Sequence, residues 1–160
     1  MNARILGIDP GLRTTGYGVI EVNGSRPRLV EAGVVTPNTK DTLERRLQDL
    51  HDGMTAVVIA TRPTAIVIEE LYTTYKNPLT AIMMGHARGV LCLTGAQHGV
   101  PVHTLAHSLV KRVLIGTGGA RKEQVNRMVT QLLGLRKNPE PNDVSDALAL
   151  ALAFAHRMGR

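Results

Sequence analysis

The chain has 160 residues, 43% of them hydrophobic, and a formal net charge of +6 at pH 7. That length and apolar content suit one domain over residues 1–160 with a real core; no run approaches the ~18 apolar residues of a membrane span, and the N-terminus lacks a signal-peptide layout, so a cytoplasmic protein with no membrane partner is expected. The basic balance, with a pI near 10.0, suits an anionic partner such as nucleic acid.

Residues 5–9, 17–22 and 29–36 are short β-favouring runs separated by Gly, Pro, Asn and Ser, which predicts an antiparallel meander of three strands. Leu43, Leu47, Leu50, Met54 and Val58 then recur at steps of three and four, predicting an amphipathic helix over about 41–61 behind a Thr or Asp cap. After Pro63 the run AIVIEEL reads as a strand buried on both faces. A helix over 79–95 follows, then a strand in VPVHTL, then helices over 108–115, 122–133 and 143–158. Cys92, in the apolar run VLCL, is expected to be reduced and part of the core. Three antiparallel strands followed by alternating helix and strand predict an α/β fold, a mixed sheet flanked by helices on both faces.

Acids stand where this pattern asks for apolar residues. Asp9 ends the first strand, Glu69 and Glu70 end AIVIE, and Asp143 and Asp146 open the last helix, where 143, 146, 147, 150 and 154 share one face. Asp143 taken alone also fits a helix cap beside its Pro-Asn entry. Asp146, a turn further in, does not. Gathered carboxylates repel one another and are costly to bury, so such a fold normally supplies a cation, and all-oxygen ligands suit Mg²⁺ or Mn²⁺ rather than zinc. Two such ions in one site serve phosphodiester hydrolysis, with Asp9 as the natural bridging ligand. His103 and His107, four apart around a strand end, are not expected to bind metal. Adjacent strand residues face opposite ways, so only one of Glu69 and Glu70 can join the site. Lys111, Arg112, Arg121, Lys122 and Arg127 surround a GTGG loop, a basic cluster that can approach phosphates or simply be a solvated face. Tyr72 and Tyr75 follow the second acid, placed to stack on an unpaired base or merely to fill a loop.

The segments GIDPGLRTTGYGV, IEELY followed by KN, GHARGV, VKRVLIGTGGARKEQV and NDVSDALALALA together resemble the RuvC family of bacterial Holliday-junction resolvases, in order and over nearly the whole chain. The resemblance implies a ribonuclease-H-like fold with a five-stranded mixed sheet, three antiparallel strands and then two parallel. It implies metal ligation and catalysis by Asp9, Glu69, Asp143 and Asp146, two Mg²⁺ or Mn²⁺ ions, and DNA contacts from Tyr72, Lys111 and Lys122, to which residue type in the basic cluster adds Arg121. It further implies a homodimer, a four-way DNA junction as substrate, paired symmetric cleavage in recombination and repair, and cooperation with the RuvA and RuvB branch-migration proteins. The helix over 79–95, apolar on more than one face through Ile82, Met83, Met84, Ala87, Val90 and Leu91, is the expected dimer interface or else simply a deeply buried helix. The competing readings are a nuclease of RNA or RNA-DNA hybrids, an actin-like ATP-binding phosphotransferase, for which 160 residues leave little room, and a non-catalytic junction-binding module.

Overall fold

The structure, a computed structural model, describes residues 2–24, 26–71 and 77–159. Strand β1 (Asn2–Asp9) pairs antiparallel with β2 (Thr15–Asn23), from Asn2 opposite Asn23 to Asp9 opposite Gly16. Strand β3 (Arg26–Val35) adds antiparallel to β2, with a register shift between Val19 and Ile20. Helix α1 (Leu43–Thr61) ends at Arg62, whose φ of 48° is left-handed, and returns the chain to β4 (Ala65–Glu69) on the other side of β1, now parallel to it. Helix α2 (Pro78–Gln97) and the parallel edge strand β5 (Val102–Leu105) follow, giving the order β3-β2-β1-β4-β5. Helices α3 (His107–Ile115), α4 (Lys122–Leu132) and α5 (Asn142–Met158) complete the described elements.

Strand alternation divides the core. Leu6, Ile8, Val19, Ile66 and Ile68 meet Leu50, Met54 and Leu91 of α1 and α2 on one face, while Ile5, Ile20, Val67 and Leu105 meet α3, α4 and α5 on the other. The expected mixed sheet with helices on both faces is therefore what forms, and Cys92 packs half-buried against the first of these clusters. Element bounds shift by one to three residues from the sequence expectation, because ladder pairing carries β1 to β3 to the tip of their turns.

Helix α5 departs more from expectation. From Val144 to Ala153 every residue except Asp146 is buried, so it is a core helix apolar all round rather than one with a single inward stripe. Glycines permit this. A Cβ on Gly7 would lie 3.0 Å from the Ala151 nitrogen, and one on Gly16 would lie 2.7 Å from the Asp143 Cβ, so these two strands form a flat bed on which α5 lies backbone to backbone. The cap position of α5 is held by Pro141 without a side-chain cap bond, and Asp143 stands in the first turn. The capping role open to Asp143 is thus not the one it plays, although its charge still meets the positive end of the helix.

Candidate active site

The parallel register between β1 and β4 sets the first two acids. Ile8 lies opposite Ile68, and both point to the α1 and α2 face, so the next residues, Asp9 and Glu69, emerge together on the α5 face. Glu70 lies exposed beyond the strand, its N–H donating to the Leu105 carbonyl at 2.9 Å. Of the two glutamates, Glu69 shares the face of Asp9. Across the other ladder Asp9 is paired with Gly16, whose missing side chain lets the first turn of α5 settle there and brings Asp143 alongside. The Ser145 hydroxyl donates to Asn126 Oδ1 at 2.8 Å, buried, and fixes α5 against α4. Asp146 thereby faces the start of α4.

The loop after Asp9 is held as firmly. The Gly11 N–H donates to Thr15 Oγ1 at 3.1 Å, the Thr15 hydroxyl donates back to the Gly11 carbonyl at 2.7 Å, and Arg46 Nη2 of α1 donates to the Leu12 carbonyl at 2.7 Å. The carboxylate of Asp9 therefore stands between two fixed ladders and a fixed loop.

Electrostatics mark Asp9 as the centre. Burial, and then the charges of Glu69, Asp146 and Asp143, push its carboxyl from 3.8 up to about 8, with Lys122 opposing. Partial burial works against the charge of Lys122, but its hydrogen bond to Asp146 and the fields of Asp146, Asp9 and Asp143 outweigh this and raise its pKa. Two of the acids carry a basic partner. Lys122 Nζ donates to Asp146 Oδ2 at 2.8 Å, and His107 Nδ1 lies 2.8 Å from Glu69 Oε1.

These pairings explain a second observation. As the side chains stand, no three His, Cys, Asp or Glu groups among the described residues converge closely enough to hold one ion, even though four carboxylates sit within each other's field. Glu69 and Asp146 are turned toward His107 and Lys122, with 25% and 21% of their side-chain surface exposed. The donor set itself, four carboxylates of which the innermost has its pKa raised by burial and by the other three, fits a hard divalent cation.

Of the expected phosphate contacts, Lys111 lines a narrow crevice with Glu69, His107 and Asp146, and Lys122 is engaged by Asp146. Arg121 holds the cap position of α4, its backbone N–H donating to Gln124 Oε1 at 2.8 Å, and its exposed side chain is beside that of Lys122 in sequence. Tyr72 and Tyr75 lie outside the described residues. His103 stacks at 4.6 Å between centroids on Phe154, away from the acids. His107 is the residue that sequence reasoning missed. Its partner follows from Glu69 pairing with Leu105 across β4 and β5, a relation that spacing in the chain does not show.

A family model for the crossover junction endodeoxyribonuclease RuvC matches residues 5–156. The chain belongs to the RuvC family. A RuvC of Rhodopirellula baltica is 47% identical over 148 residues, 92% of this chain and 83% of that one. One of Heliobacterium modesticaldum is 42% identical over 154 residues, covering 96% and 94%. The Thermus thermophilus RuvC in complex with Holliday junction substrate superposes with a TM-score of 0.92 at 36% identity, covering 98% of this chain and 96% of that one. The ribonuclease-H-like sheet expected from the sequence is thus the RuvC fold, and the actin-like and non-catalytic readings fall away from a RuvC-family nuclease.

Proposed function

We propose that this chain, acting as a single domain, resolves four-way DNA junctions by hydrolysing one phosphodiester per active site. The observation that carries the reading is the gathering of Asp9, Glu69, Asp143 and Asp146 around the centre of the sheet, with the pKa of Asp9 displaced by the other three. The family is one of metal-dependent nucleases, and the Thermus thermophilus relative is held on Holliday junction substrate. Asp9, Glu69, Asp143 and Asp146 would hold Mg²⁺ or Mn²⁺, two ions per site. When bound, the ions supply Lewis acidity to the scissile phosphate and lower the pKa of the attacking water.

The rest is the work of the protein. The β1 and β4 ladders hold Asp9 and Glu69 in place, α5 carries the other two acids as one rigid body, and Lys122 and Lys111 offset the negative charge that a phosphate meets on approach. Arg121 extends that basic edge, and Tyr72 follows Glu69 closely enough in sequence to stack on a base opened at the junction. Leu79, Ile82 and Leu93 of α2 are 60%, 57% and 52% exposed, an apolar stripe suited to a twofold partner that supplies the second active site. Cooperation with RuvA and RuvB belongs to the same reading.

The test offers a synthetic four-way junction, a plain duplex and an RNA-DNA hybrid to the protein with Mg²⁺ and maps the products. Paired nicks confined to symmetric positions of the junction are expected. Preferred cutting of the hybrid would replace the junction reading by the RNA-directed one.

A further inference from the structure

A cleft of about 600 Å³ opens beside Asp143, distinct from the crevice of Glu69 and Asp146. Its walls are the loop after Asp9, one side chain of α1 and the first turns of α2. Arg13 and Arg46 line one side, Met83 and Met84 the other. Neither arginine forms a salt bridge among the described residues, although an acid lines the same cleft. Arg46 is held rigidly, since Nη2 donates to the Leu12 carbonyl at 2.7 Å. Its Nε is buried and finds no acceptor among the described residues. A partly desolvated guanidinium with no acidic partner is costly, and an anion in the cleft lowers that cost through its charge.

The two walls call for different halves of one ligand. Fixed guanidinium groups bind phosphate oxygens in a forked geometry. Thioether side chains offer a soft, polarisable surface to a flat ring. The volume lies in the range of small-molecule sites and is too small for a double helix. We propose that this cleft binds an unpaired nucleotide of the strand being cut, its phosphate on Arg13 and Arg46 and its base against Met83 and Met84. This rests on the reading that the carboxylates cut a junction strand. The cleft runs from Asp143 to the start of α2, so a strand whose phosphate is cut at the carboxylates passes directly into it. Arg13 and Arg46 are then positioning residues for the strand, and they make an opened junction a better substrate than duplex.

The experiment uses full-length protein with Ca²⁺ for binding and Mg²⁺ for cutting. Arg13→Ala, an exposed position, is expected to weaken junction binding roughly tenfold and to lower the salt slope by about one, with a much smaller loss on duplex. A junction carrying one neutral methylphosphonate next to the cut should weaken binding by wild type to a similar degree, and weaken Arg13→Ala no further. Arg46→Gln should repeat the pattern and Arg46→Lys should restore part of it. Losses that add, equal losses on junction and duplex, or a shift in dimerisation that accounts for the whole effect overturn the cleft. Wild type that cuts the junction while Arg13→Ala matches it also removes the cleft and leaves the carboxylate reading standing. Wild type that neither binds nor cuts the junction overturns both.

Discussion

Lys122 Nζ lies 2.8 Å from Asp146 Oδ2, joining the first residue of α4 to the one acid of α5 that interrupts its buried surface. The contact places a positive charge beside a negative site, and on the proposed reading that charge would offset the repulsion an incoming phosphate meets there.

Lys122→Ala is accordingly expected to weaken DNA binding across sequences, to lower the slope of log affinity against log salt by roughly one, and to slow cutting more than binding. Filter binding over a salt series, set beside single-turnover cutting, measures both. An unchanged slope returns Lys122 to a purely structural role toward Asp146.

Asp9 makes a prediction about stability. Its carboxyl is raised to about 8 from 3.8, so between those values the folded, cation-free protein keeps a proton that the unfolded chain has lost. Folding stability from this group therefore falls as pH rises from about 4 to about 8, and the full penalty, on the order of a few kcal/mol, is reached above that window. Asp9→Asn abolishes the penalty. In EDTA the variant should melt above wild type at pH 8 and approach it toward pH 5, while junction binding persists and cutting is lost. Parallel melting profiles for the two proteins would falsify the placement of Asp9 as the buried centre.

Gly16→Ala tests the bed under α5. The new methyl meets the backbone and Cβ of Asp143, so the first turn must lift from the ladder that carries Asp9. A loss of stability of about 1–3 kcal/mol is expected, with the cutting rate falling further than the small unfolded fraction explains. Urea unfolding and single-turnover kinetics separate the two effects, and full activity in the variant would show that Asp143 needs no such close seat.

Ile82, 57% exposed on α2, tests assembly. Ile82→Glu should sediment as a monomer and nick junctions singly, whereas wild type is expected to sediment as a dimer and to cut in pairs. A monomeric wild type that still makes paired cuts removes α2 from this role.

The order of elements was legible because periodicity changes cleanly from two to near 3.6 at the first helix, and Asp9 was legible because a carboxylate ends an apolar strand. The choice of Glu69 over Glu70 was not open to residue patterns. It depends on Ile8 standing opposite Ile68, a long-range register. The pairing of His107 with Glu69 was invisible for the same reason, being set by β5 pairing with β4. The burial of α5 on all sides was missed because Gly7, Gly16 and Gly18, far off in sequence, remove the side chains that would have held the helix away. The repeated alanines of ALALALA, small on every face, were the signal for it.

The acids come from β1, β4 and α5, so they are brought together only by contacts between the beginning and the far end of the fold. Loops that long close slowly and late. During synthesis or refolding, an intermediate that has formed the meander and its first helices holds Asp9 and Glu69 but neither acid of α5. On the proposed reading, such a species would have half a cation site and no ability to break a strand. Nuclease activity would thereby be tied to completion of the core, and a molecule that lost α5 by local unfolding or proteolysis would be disarmed in the same event.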